Sequence, residues 1–197
     1  MSERIAEISR KTNETDIKLT LDLDGTGSAE IDTGIGFFDH MLQNFARHGF
    51  FNLSVKAIGD IIVDSHHTIE DTGIVLGQAI AKAVGDKQGI ERFGSFLLPM
   101  DDALVLCAVD LSGRPYLSYD LTLTTEKVGY MDTEMVKEFF YAVSYSACMN
   151  IHLKQISGEN NHHIIEAAFK AFAKSLDMAT RYNDRLDGKI LSTKGSL

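Results

Sequence analysis

The chain has 197 residues, 44% hydrophobic and 24% charged, which suits one substantial globular domain or two small fused ones and excludes a disordered chain. A formal net charge of -9 with no basic run gives no electrostatic footprint for a nucleic-acid partner. No apolar stretch is long enough to span a bilayer and the N-terminus lacks an apolar signal core, so a cytoplasmic protein with no membrane partner is expected, its two cysteines (Cys107 and Cys148) reduced.

Residues 4–10 and 16–23 alternate apolar and polar side chains, as in Ile17, Leu19, Leu21 and Leu23, and are expected to be strands joined by a polar link. Asp24-Gly25-Thr26-Gly27 reads as a hairpin turn into a strand at 29–31. Residues 37–48 read as a helix with Phe37, Phe38, Met41, Leu42 and Phe45 on one face and His40, Asn44 and His48 at one-turn spacing on another. Strands at 51–58 and 61–63 lead into a helix from a histidine pair at 66–67 to about residue 84. Residues 89–94 form an expected connector, and residues 99–102 lead into an apolar strand at 103–111. Residues 116–123 are its expected hairpin partner, across the turn Ser112 to Pro115. A helix over 133–149 (N-cap Asp132 or Thr133), a strand over 150–156, a helix from the second histidine pair to about 181 and a polar tail complete the chain.

Hairpin, helix, strand, turn and His-His helix thus occur twice, in half-repeats at 1–94 and 95–197. The expected fold class is α+β: an internally duplicated two-layer sandwich, each half a mostly antiparallel sheet with helices on one face, closing as one compact domain.

Four of the seven histidines fall in the repeated pairs, His66-His67 and His162-His163, each with a glutamate (Glu70, Glu166) four residues after the first. On a helix, His66 and Glu70 share one face, as do His162 and Glu166, while His67 and His163 point about 100° away. One pair therefore cannot close on a single ion, but it can give one ring to each of two. Imidazole and carboxylate donors suit zinc, manganese or iron, and the lack of any Cys-x-x-Cys argues against a zinc ribbon. A lone helical histidine is usually structural; here the repetition carries the reading. The expected sets are His66, Glu70 and His163 for one ion and His67, His162 and Glu166 for the other. His40 and His152 are recruited as further ligands, and which ion each completes stays open.

Lys170 continues the His162–Glu166 stripe and is an anion-binding candidate. Arg92 and Arg114 sit in glycine-containing turns where a guanidinium can clamp a phosphate bidentately. His48, beyond Asn44 on the His40 stripe, is an acid/base candidate. A dinuclear metal phosphohydrolase is the alternative, though such sites commonly use bridging aspartates and need no duplicated pattern. A metal-storage protein would leave the arginines and Lys170 without a role.

The motifs Gly34-Ile35-Gly36-Phe37-Phe38-Asp39-His40-Met41-Leu42, Asp64 to Asp71, Gly158 to Lys170 and Ser192-Thr193-Lys194-Gly195 resemble those of the imidazoleglycerol-phosphate dehydratases. The likeness runs from about Arg4 to the C-terminus, takes in Arg92 to Gly94, Pro99 to Asp101 and Ser112 to Pro115, and points to the monofunctional form. It implies a hydro-lyase of histidine biosynthesis that converts imidazole glycerol phosphate to imidazole acetol phosphate, with two Mn2+ ions per active site on the eight positions named above. It implies a 24-subunit homo-oligomeric shell with sites between subunits, so that the two His-His helices meet across an interface rather than within one chain. By the same resemblance Arg92, Arg114, Lys170, Ser192 and Lys194 hold the substrate phosphate, Asp101 is a substrate-binding position, and Glu14 lies near the reacting carbons. The proton lost is not next to a carbonyl, so binding the imidazole as an imidazolate between two cations would be what acidifies it. Glu14 is expected to move that proton.

Overall fold

A computed structural model describes residues 4–197. The alternating segments form β1 (Ile5–Lys11) and β2 (Thr15–Asp22), antiparallel from Ile5 opposite Asp22 to Lys11 opposite Asp16. Ile17, Leu19 and Leu21 are buried on one face of β2, as a two-residue period requires. β3 (Ala29–Asp32) does not fold back on β2 as the Asp24–Gly27 turn suggested. The Asn52 side chain accepts the backbone N–H groups of Thr26 and Ser28, which binds the turn to the start of the next strand instead. That strand, β4 (Asn52–Gly59), follows the helix α1 (Gly36–Gly49) and lies antiparallel to β2 and parallel to β3. A parallel pair needs a long crossover, and α1 supplies it.

Residues 61–63 make a turn rather than the expected strand. The Val63 N–H reaches the Asp60 carbonyl, and Ile62 is 99% exposed, so β-branched composition alone did not secure a partner strand. α2 (His66–Val84) follows.

The second half repeats the plan. β5 (Phe93–Met100) pairs antiparallel with β6 (Ala103–Asp110) through the Asp101-Asp102 turn, where a connector and a lead-in were expected. Gly94 and Pro99 masked β5. A Cβ at Gly94 would lie 1.9 Å from the Ser175 carbonyl oxygen, so glycine is needed for close approach, and Pro99 is tolerated because β5 is an edge strand. β7 (Tyr116–Asp120) is not the hairpin partner of β6. A small ribbon of β8 (Lys127–Val128) and β9 (Met131–Asp132), with no sequence signal, precedes α3 (Met135–Ala147). Glu134, not Asp132 or Thr133, is the N-cap of α3. β10 (Asn150–Ser157) then enters between β6 and β7, parallel to β7, and leads to α4 (Asn161–Thr180).

The sheet orders β1-β2-β4-β3 and β5-β6-β10-β7 are therefore the same topology used twice. The fold is the expected duplicated α+β arrangement, with two antiparallel pairings and one parallel pairing in each sheet. Even the helix ends match: α1 and α3 both stop at a left-handed residue, Phe50 (φ 59) and Cys148 (φ 50).

Helices cover one face of each sheet, α2 on β1 and β2, α4 on β5 and β6. The halves join helix to helix, α1 against α4 and α2 against α3. At the second contact a Cβ on Gly77 would lie 2.7 Å from the Val143 carbonyl oxygen, and one on Gly73 would lie 2.9 Å from that of Phe139, so α3 rests on the α2 backbone. Phe38, Phe139 and Phe169 link α1, α3 and α4 with ring centroids 5.0 to 5.4 Å apart. Truncating Phe139 to Ala should cost about 3–5 kcal/mol.

Candidate active site

Both histidine pairs open a helix, and an Asx side chain two residues upstream positions each. The His66 N–H reaches Asp64 at 2.8 Å, and Asn160 accepts from His162 and His163. Asn160 is the N-cap of α4, while in α2 the Asp64 carboxylate, one residue before the N-cap Ser65, holds the first helical N–H; both contacts orient the turn from which the imidazoles leave.

On α4, His162 Nε2 lies 3.1 Å from Glu166 Oε2, and His40 Nε2, reaching over from α1, lies 3.4 Å from the same oxygen. The three ligand atoms fall within 4.8 Å of one another, and among the described residues this is the one group of three or more of that kind. Donors held about 2.1 Å from an ion lie about 3.0 Å apart at octahedral angles and about 3.4 Å at tetrahedral ones, so the trio fits one divalent cation. Glu166 is buried, which by itself pushes its carboxyl up. Lys170 and His162 outweigh that and hold it below the usual carboxylate value. Lys170 Nζ sits 2.5 Å from Glu166 Oε1, so within one chain it braces the carboxylate.

The structure therefore places His40 with His162 and Glu166. His67 is not in that group, and neither is His163 with His66 and Glu70, since α2 and α4 each pack on the other half's first helix instead of on one another. His152 projects from the exposed face of β10, opposite buried Ile151 and Leu153, with its ring 5.6 Å from Tyr116. His48 lies further along α1, where burial, Lys170 and Lys174 all lower its pKa.

His67, the second histidine of the first pair, lines a separate hollow. His66 Nε2 is 3.4 Å from Glu70, and His67 Nε2 is 4.0 Å from Glu14, which the β1–β2 loop presents. Glu14, His67 and Glu70 share a cavity of roughly 190 Å³ with Arg10 and Thr12. The second half mirrors this, because the β5–β6 turn presents Asp101 3.4 Å from His163 Nε2. Each hairpin loop thus carries a carboxylate to the second histidine of a pair. Sequence reasoning missed Asp60 and Asp102, which take the Nδ1 atoms of His67 and His163 at 3.0 and 2.6 Å; only their acidic character next to turn residues signalled them.

The basic residues gather elsewhere. Arg92 and Arg114 line a cleft of roughly 720 Å³ together with Arg185, Lys189, Ser192 and Lys194. Two Arg92 nitrogens bind Asp110 at 2.8 and 3.2 Å, and a third bonds to the Leu191 carbonyl, so the guanidinium fastens the tail. Gly89 N–H to Lys189 O at 3.0 Å fastens it again. The surplus of positive charge suits a phosphate.

That cleft is far from the histidine trio. Arg92 N–H bonds to Ala179 O at the far end of α4, 17 residues beyond His162 (179 − 162). At 1.5 Å per residue the separation is about 26 Å.

A family model described as imidazoleglycerol-phosphate dehydratase matches residues 33–176. The imidazoleglycerol-phosphate dehydratase of Lachnoclostridium phytofermentans is 69% identical over 98% of this chain and 98% of its own length. That of Acetivibrio thermocellus is 58% identical over 99% and 100%. Among solved structures, the Staphylococcus aureus enzyme superposes with a TM-score of 0.83 at 41% identity, over 91% of this chain and 99% of that one. The Pyrococcus furiosus enzyme gives 0.84 at 38% over 96% and 100%.

Proposed function

The chain belongs to the imidazoleglycerol-phosphate dehydratase family, and from that premise we propose how its side chains divide the reaction among them. The protein is a hydro-lyase of histidine biosynthesis, removing water from imidazole glycerol phosphate to give imidazole acetol phosphate. The phosphohydrolase alternative has no support.

The eight residues His40, His66, His67, Glu70, His152, His162, His163 and Glu166 hold two Mn2+ ions per active site, His40 sharing its ion with His162 and Glu166. When bound, such ions would supply the positive charge that stabilises the electron-rich ring while hydroxide leaves the ring-bearing carbon and a proton leaves the carbon next to it. Glu14 takes the carbon-bound proton from its place beside His67, and Asp101, beside His163, faces the substrate from the other half. His48, whose pKa is lowered by burial and two lysines, is an acid/base group further along α1. Arg92, Arg114, Ser192 and Lys194 clamp the phosphate, and Lys170 reaches it from its brace on Glu166.

The observation that carries this division is the separation of about 26 Å along α4 between the trio and the arginine cleft. The substrate, a ring, three carbons and a phosphate, is roughly 10 Å long on ordinary bond lengths. One chain cannot offer both ends of one site, which supports a homo-oligomer whose active sites lie between subunits. The 24-subunit shell is the assembly proposed for it, in the cytoplasm. In that assembly the half-repeats at 1–94 and 95–197 act as one compact unit.

Turnover measured before and after chelation tests the reading. An enolisable ketone formed from the imidazole substrate without phosphate release, lost on chelation and restored by Mn2+, is expected. Turnover untouched by metal removal would overturn the metal assignment, and release of inorganic phosphate would return the hydrolase.

A further inference from the structure

We infer that Asp60 and Asp102 are positioning residues that fix the tautomer and ring direction of His67 and His163, so that each presents a free Nε2 lone pair to a metal ion. The inference rests on the proposed role of those two histidines as ligands.

A neutral imidazole carries one N–H and one lone pair, and only the lone pair can bind a cation. His67 Nδ1 lies 3.0 and 3.2 Å from the two carboxylate oxygens of Asp60. His163 Nδ1 lies 2.6 Å from Asp102 Oδ1. An ionised carboxylate can only accept, so both rings hold their hydrogen on Nδ1, and the lone pair is left on Nε2. In both cases Nε2 points at the hairpin-loop carboxylate, Glu14 or Asp101, on the side where the substrate is expected. His66 and His162 differ at the other nitrogen: their Nε2 atoms also face a carboxylate, the glutamate one turn on, but among the described residues no side chain takes their Nδ1.

The two aspartates do not occupy matching places in the repeat. Asp60 lies between β4 and α2, whereas Asp102 lies between β5 and β6. Duplication would have copied a single position, so the same Nδ1 contact has been built twice from different loops. A shared need of the two rings, not shared descent of the two aspartates, accounts for that. The supports also differ in stiffness. Asp102 accepts the backbone N–H groups of Glu159 and Asn160 at 2.7 and 3.0 Å as well, tying the β5–β6 turn to the loop ahead of α4. Asp60 starts the turn whose residues 61–64 are exposed.

The test is Mn2+ binding by calorimetry to the metal-free full-length protein, comparing wild type with Asp60→Asn, Asp102→Asn and His67→Ala. An asparagine can turn its amide N–H toward Nδ1 and so favour the wrong tautomer. Asp60→Asn should weaken Mn2+ binding by about 10–100-fold, the usual effect of losing an outer carboxylate partner, with the thermal midpoint of the metal-free protein unchanged. Nitrogen chemical shifts of His67 should move from the Nδ1–H form toward the Nε2–H form. Asp102→Asn also loosens a backbone turn, so Asp60→Asn is the decisive variant. If His67→Ala weakens Mn2+ binding while Asp60→Asn leaves both the affinity and the tautomer at wild-type values, the inference is overturned. If His67→Ala binds Mn2+ like the wild type, the ligand assignment beneath it fails instead.

Discussion

His40 on α1 and Glu166 on α4 stand 3.4 Å apart, nitrogen to carboxylate oxygen, across the join between the two halves of the chain. The same oxygen serves His162, and Lys170 holds the other one. Glu166→Gln should remove the charge that gathers all three. The expected result is Mn2+ binding weakened by at least about tenfold and loss of turnover, read by calorimetry and ketone formation. Wild-type affinity in this variant would show that the trio is a structural cluster.

Glu14 sits beside His67 without being one of the proposed ligands. Glu14→Gln should therefore lower kcat by about 10²- to 10⁴-fold, the range for a lost acid–base group, with Mn2+ affinity near that of the wild type. Near-native kcat would remove Glu14 from the chemistry.

Inactive subunits should rescue one another. Glu166→Gln damages the trio and Arg114→Ala the distant cleft, so a site drawing those parts from different chains can find both intact in a mixed assembly. Unfolding and refolding the two variants together should restore up to about a quarter of wild-type activity, by random placement in a symmetric assembly. No recovery, with mixed oligomers demonstrated by mass, would mean that both parts of each site come from one chain.

Cys107 is fully buried and its thiol is pushed up to about 12 by burial, while Cys148 is exposed. A thiol reagent should label Cys148 and spare Cys107 until the protein unfolds. The raised folded value also sets a direction with pH. Cys107 adds its full stabilisation below its unfolded value of about 8.5, and this fades as pH climbs from there toward 12. Cys107→Ser should flatten the alkaline decline in thermal midpoint; a decline of unchanged slope would assign it to other groups.

Local signals carried much of the architecture. The two His-His helices were legible because Asx residues, histidines and glutamates recur at fixed offsets, and α1 because Phe38, Met41, Leu42 and Phe45 share a stripe. The partners of β3 and β7 were not legible, since parallel pairing is decided by how α1 and α3 cross over rather than by the turns next to those strands. β5 was hidden by Gly94, whose reason lies in α4, 81 residues away (175 − 94). At the candidate site, residue types and spacing paired His162 with Glu166, but grouping them with a third donor needed tertiary placement: His40 joins them because α1 packs on α4. Asp60 and Asp102 were invisible for the same reason, each being an unremarkable turn aspartate until its loop meets a ring.

The contact of α1 with α4 is the contact of α3 with α2 under exchange of the two halves, so the chain has the form of a two-fold dimer whose partners share a covalent tether between α2 and β5. A tether of that length sets an effective concentration of roughly millimolar for one half toward the other. Two separately expressed halves would have to supply that concentration themselves. His40 and Glu166 would then meet only as often as two free molecules do, and a donor trio now assembled within every folded chain would become dilution-sensitive.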